Sequence, residues 1–99
     1  MDMPAIGPEA RPPQRQVYRD IQPVTVLVDL RALFRPAAFS NRVPEPRGLQ
    51  VGRIVTGTLT AWSIAEGGDW FGRVTYMVIT GHRHEEVTHW VPAWAIRPD

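Results

Sequence analysis

The sequence predicts an all-β domain: a small, five-stranded antiparallel barrel behind a proline-rich tail. Three observations carry that expectation. Short runs rich in β-branched and aromatic residues recur, namely VTVLVDL, RIVTGTLTAW, WFGRVTYMVI and VTHWV. Clusters of Gly, Pro, Asn and Asp separate them, and no stretch shows the period of an amphipathic helix. All four tryptophans, Trp62, Trp70, Trp90 and Trp94, fall in one run with Phe71 and Tyr76, so six of the nine aromatics sit in about a third of the chain. Large rings bury the most area per residue, which places the core in that run.

The elements follow in order. Residues 1–16 hold four prolines and few apolar groups. They bury too little to offset the entropy of ordering, so residues 1–20 are expected to be a flexible Pro/Arg-rich tail and residues 21–99 the domain. The first strand is expected over 24–30, where Val24, Val26 and Val28 share a face behind Pro23. Arg31–Phe34 either continues it or makes one helical turn, and Pro36 stops anything longer. Residues 36–52 read as a long loop, with two prolines and two glycines between 40 and 52.

A second strand is expected over 53–62, with Thr56, Thr58 and Thr60 on one face and Val55, Gly57, Leu59 and Ala61 on the other. Gly57 suggests a bulge or bend. AEGGD (65–69) is a hairpin turn. The third strand, 70–79, is apolar on both faces: Trp70, Val74, Tyr76 and Val78 on one, Phe71, Met77 and Ile79 on the other. TGHRHEE (80–86) reads as the next turn, VTHWV (87–91) as the fourth strand, and PAWAI as a 3₁₀ turn entering a short last strand. Leu59, Val74, Val87, Val91 and Ile96 are the expected core. Trp70 and Trp94, each at a turn, are the rings expected to stay partly exposed.

Composition narrows the class. Ninety-nine residues make one domain, and a folded unit near 80 residues is marginal in size. There is no cysteine, so disulfides and thiolate metal sites are excluded and a cytoplasmic setting is expected. No apolar run approaches the roughly 20 residues of a membrane span. Net charge is +1, too small to imply a polyanion by itself. Every cation is Arg; residues 1–50 carry seven Arg against five acids, and residues 51–99 four against five.

The segments GTLTAW, GDWFGRVTY and HWVPAWAIRP together resemble a Src-homology-3-like or Tudor-like small β-barrel. The order of V-x-V, G-x-L-x-A-W, W-x-x-x-V-x-Y and W-V-P-A is also similar to actinobacterial domains of unknown function. The resemblance covers residues 24–98. It implies that DWFG opens a middle strand with an aromatic pair and that VPAWAI is the Pro-containing turn before the last strand. It also implies a ligand face holding Trp70, Pro92 and Trp94, or a cage for a methylated cation drawn from Trp62, Trp70, Tyr76 and Trp90. The tyrosine-bearing segment of the peptide-binding members is absent; VTVLVDL stands there instead.

No catalytic pattern appears: there is no G-x-S-x-G, no phosphate-cradling glycine loop and no H-E-x-x-H. His82, His84, Glu85, Glu86 and His89 are the one ligand-like cluster, and they read as a solvated hairpin tip rather than a metal site. No cofactor is called for. The expectation is therefore a non-enzymatic interaction module, tryptophan-rich, binding a protein or peptide through Trp70, Trp94, Pro92, Trp62 and Tyr76, with Arg42 and Arg47 from the loop. Self-association is a further option. The alternative is a single-stranded nucleic-acid binder, with Arg31, Arg35, Arg42, Arg47 and Arg53 beside Trp62 or Trp70.

Overall fold

The computed structural model describes residues 16–36 and 42–99. It contains β1 (Tyr18–Asp29), α1 (Leu30–Leu33), β2 (Ile54–Ile64), β3 (Trp70–Thr80), β4 (Arg83–Pro92), a 3₁₀ turn (Ala93–Ala95) and β5 (Ile96–Pro98). All pairings are antiparallel, in one five-stranded sheet of order β4-β3-β2-β1-β5. No ladder joins β4 to β5 among the described residues, so these two strands are the sheet's edges.

The core is one cluster. Val26, Val28 and Leu30 from the β1–α1 segment meet Leu59 and Trp62 of β2, Trp70, Val74 and Tyr76 of β3, Val91 of β4, and Ala95 and Ile96. Of the expected core residues, Leu59, Val74, Val91 and Ile96 are buried and Val87 packs against the cluster part-buried. Two glycines make room for it. A Cβ at Gly72 would lie 2.6 Å from Leu59 Cδ1, and one at Gly57 would lie 2.9 Å from the Thr75 carbonyl oxygen.

Three boundaries differ from the sequence reading, and one of its open alternatives is decided. β1 begins at Tyr18, not Val24, and the Val17 carbonyl accepts from Ile64 N–H at 2.8 Å. Residues 18–20 therefore belong to the sheet rather than to a tail; of the remaining expected tail, Gln16 and Val17 lead into β1 and 1–15 lie outside the described residues. Leu30–Leu33 takes the helical alternative, because Asp29 caps it by accepting from Arg31 N–H at 3.1 Å and Ala32 N–H at 3.3 Å. β4 begins at Arg83, so His84, Glu85 and Glu86 are strand residues; the tight turn is only Gly81–His82, with Gly81 at φ 58°. In the 36–52 loop, residues 37–41 lie outside the described residues, while Leu49 bridges Thr80 and Gln50 N–H donates to Ile79 O at 2.9 Å.

The bulge expected at Gly57 lies three residues later. Gly57 pairs regularly with Val26 and Tyr76, whereas the β2–β3 register shifts between Leu59 and Ala61. Thr60 is the additional residue. β1 shifts at the same level, between Asp20 and Val24, where Pro23 has no N–H to give to a ladder. The β2 bulge swaps the strand's faces: Leu59 points to the core before it, and Trp62, opposite Gly72, points to the core after it. Trp62 is thereby fully buried, and its Nε1–H finds no acceptor among the described residues.

A candidate binding face

The sheet's outer side, away from the core, is built by alternation. On β3 it carries Phe71, Arg73, Thr75 and Met77; on β4 it carries Pro92, Trp90, Thr88 and Glu86. The double bulge divides this side into two halves. On one half, Thr25, Thr58, Thr75 and Thr88 stand in register across four strands, and the hydroxyls of Thr75 and Thr88 are 2.7 Å apart. On the other half the register reads Tyr18, Ser63, Phe71, Pro92 in one row and Asp20, Ala61, Arg73, Trp90 in the next.

The second half is organised by Arg73. Its guanidinium carbon lies 5.8 Å from the centroid of the Trp90 ring. Its Nε donates to Thr60 Oγ1 at 3.1 Å and its Nη1 to Tyr18 Oη at 3.2 Å, while Nη2 is 3.6 Å from Asp20 Oδ1. Tyr18 Oη in turn donates to Asp20 Oδ1 at 2.8 Å. The bulge residue thus supplies the hydroxyl that steers the arginine. Tyr18 and Trp90 meet edge to face, with centroids 6.2 Å apart and planes at 76°. Such a pair is worth roughly 0.5–1.5 kcal/mol and the exposed cation–π contact roughly 0.5–1 kcal/mol. Beside them lies an open groove of about 320 Å³, lined by Ser63, Ile64, Ala65, Phe71 and Trp90. Trp90 and Tyr18 are each 40% exposed, which is unusual for rings so well fixed.

The residues named from sequence are placed differently. Trp70 is only 7% exposed, so the expectation that it stays at the surface is corrected. It opens β3 opposite Ile64, on the same inward face as Val74 and Tyr76, and that parity outweighs its closeness to the turn. Trp62 and Tyr76, at 0% and 3%, also lie beneath the surface and form no cage on it. Tyr76 Oη bonds His89 Nε2 at 2.8 Å, and burial pushes its phenol above the ordinary tyrosine value. Trp94 is 65% exposed on the 3₁₀ turn, and Pro92, part-buried, pairs with Phe71. Arg42 and Arg47 are exposed, and the Arg47 carbonyl lies beside the Gly81 turn, at the other end of β3 and β4 from Trp90. Of the residues expected to bind a protein, Pro92 alone joins the face that the structure assembles, and of the expected cage only Trp90 does.

Tyr18, Phe71, Arg73 and Trp90 were not grouped from sequence. The signal was present for three of them. A two-residue turn at Gly81–His82 sets Arg73 opposite Trp90 and Phe71 opposite Pro92. Tyr18 carried no such signal, because the bulge at Pro23 hides its strand register. No grouping of three His, Asp or Glu side chains that could hold a metal occurs among the described residues, and no helix there is long and apolar enough to cross a membrane.

No family model, curated protein or solved structure matches this chain.

Proposed function

We propose that the protein is a non-enzymatic interaction module that binds a protein or peptide through the outer face around Trp90. The observation that carries this reading is the groove between Phe71 and Trp90, flanked by Tyr18 and Arg73. Trp, Tyr and Arg are the residue types that most often anchor protein interfaces. Here three polar partners hold Arg73 over the indole, so little side-chain freedom is left to lose on binding. The strand order, with β1 between β2 and β5 and a 3₁₀ turn before β5, supports the Src-homology-3-like reading; the actinobacterial-like reading rests on the sequence motifs alone. The absence of cysteine supports a cytoplasmic setting.

The nucleic-acid alternative has less behind it. Trp62 and Trp70 present no ring face to a base, and Arg31 is engaged bidentately by Asp29. The deciding experiment places a photo-crosslinking phenylalanine analogue at Trp90, and separately at Thr25 on the threonine half, in cells of the source organism. A polypeptide crosslinked from position 90 and not from position 25 is the expected result. Equal crosslinking from both positions, or crosslinks to nucleic acid alone, refutes the reading.

A further inference from the structure

The groove has a neighbour that no other part of the sheet offers. β4 is ten residues long and ends the sheet, while the opposite edge, β5, has three residues and closes with Pro98. Along its free side β4 therefore keeps a row of backbone N–H and C=O groups with no ladder partner among the described residues. Such a row is a template for another strand. Trp90, the wall of the groove, stands on this same strand. Four residues before it on the same outer face is Glu86, and next to that, on the inner face, Glu85; both are exposed and neither is in an ion pair among the described residues.

Resting on the reading above, we propose that β4 is the docking strand. An extended segment of the partner adds to its edge antiparallel, with an apolar side chain on Trp90 and two consecutive basic side chains on Glu86 and Glu85. The antiparallel direction follows from every existing pairing in the sheet and from the better hydrogen-bond geometry of that arrangement. It fixes the order of the recognised segment: the apolar residue comes first, and the basic pair follows four and five residues later. Backbone bonds supply the affinity, and the alternate side chains supply the choice of partner. A second β4 fits less well. Registers centred on Glu85 or Glu86 set carboxylate against carboxylate, and registers that overlap the whole strand give neither glutamate an arginine. Registers that set Arg83 against Glu85 or Glu86 overlap at most residues 83–86 of each copy and leave Trp90 unpaired, so the acid pair favours a basic strand over a second β4.

The probe is a capped ten-residue peptide of mixed threonine and valine carrying one leucine and, four and five residues on, two arginines. It is titrated into the full-length ¹⁵N-labelled protein. Shifts confined to the β4 amides and the Trp90 indole, with slowed exchange of β4 N–H groups, are expected. The same peptide with alternate backbone amides methylated on its pairing side should not bind. Replacing its arginines with glutamates should weaken binding about fivefold, and the E85R/E86R double variant should restore the glutamate peptide. No binding, or β4-mediated dimers in sedimentation that exclude the peptide, overturns the proposal. Binding at Phe71 and Trp90 that is indifferent to methylation and to charge reversal also overturns it, yet leaves the interaction face standing. Loss of the position-90 crosslink in cells would remove that face instead.

Discussion

The outer side of one sheet carries two surfaces of opposite character, made by the same four strands. One is a rank of threonines, Thr25, Thr58, Thr75 and Thr88; the other is a cluster of rings around Arg73. The threonine half is polar: β-branched side chains that fit the pleat and offer hydroxyls to water, around an open concavity of about 350 Å³ lined by Thr25, Thr58, Thr75, Met77 and Glu86. The aromatic half spends buried and half-buried rings on both sides of the sheet at once, Trp62 and Trp70 below, Trp90, Phe71 and Tyr18 above. What separates them is a pair of bulges at one level, at Thr60 and beside Pro23. By swapping the faces of β2, the bulge sinks Trp62 into the core and brings Ala61 to the outer side. The small Ala61 side chain, between Asp20 and Arg73 in the register, leaves room for those two to meet.

The largest test of this division is beneath the aromatic half. Trp62→Ala should cost about 3–5 kcal/mol in urea unfolding, the usual loss for a buried ring. Trp62→Phe should cost far less. It keeps most of the ring and deletes a buried N–H that has no acceptor among the described residues, a group whose burial costs roughly 1–3 kcal/mol. Equal losses in the two variants would mean that the pocket around Trp62 gains nothing from a phenyl ring and needs the whole indole.

The two close-packed glycines compare the halves directly. Gly57 lies under the threonine half, where an added methyl would meet the Thr75 carbonyl oxygen and Val74 Cγ1 at 2.9 and 2.8 Å. Gly72 lies under the aromatic half, where it would meet the ends of Leu59 and Ile96 at 2.6 and 2.8 Å. Side-chain ends can turn, but a carbonyl held in a ladder cannot. Both Gly→Ala changes should destabilise by about 1–3 kcal/mol, with Gly57→Ala the worse by chemical denaturation. The reverse order would show that the core under Trp62 is the stiffer of the two.

On the outer side the contrast is between Trp90 and its neighbour two residues away. Trp90→Ala removes the edge-to-face pair and the cation–π contact and should cost about 1–2 kcal/mol in thermal melts. Thr88→Val removes one hydroxyl of an exposed pair and should stay within about 0.5 kcal/mol. Only the first should abolish partner binding.

Much of this fold could be read from sequence, and for a physical reason. Period-two alternation and glycine turns are local, so β2, β3, the turn at 65–69 and the 3₁₀ turn fall where expected. WFGRVTYMVI was also read correctly as a central strand, since it lies between β2 and β4. The candidate face was less legible, because a bulge is a single residue with no compositional mark. Thr60 looks like the third member of an alternating Thr56, Thr58, Thr60 series, yet it is where the alternation breaks. Once it breaks, Trp62 changes sides. Pro23 hid the start of β1 in the same way, and with it Tyr18. The position of Trp70 beside a turn suggested exposure, but its even-face companions Val74 and Tyr76 were the better guide.

The two halves also end in different charge clusters, and acid distinguishes them. Beyond the threonine half, Asp29 accepts from Arg31 Nε at 3.0 Å and Nη2 at 3.1 Å, from Arg97 Nη2 at 3.2 Å, and from two backbone N–H groups at the start of α1. The Arg31 side chain foremost, then the backbone donors, holds its carboxyl down from 3.8 to about 2. Its folded value is the lower one, so the stabilisation is fully present above about pH 5, where the unfolded carboxylate is ionised. It is lost as pH falls from about 5 through about 2. Asp29→Asn should therefore melt earlier than the parent at pH 7, and the two melting curves should converge below about pH 2. The variant should leave the Tyr18–Trp90 cluster untouched, which near-ultraviolet circular dichroism of the aromatic bands would report. A change in those bands would show that the two halves of the outer face are coupled across the bulge and do not act as separate surfaces.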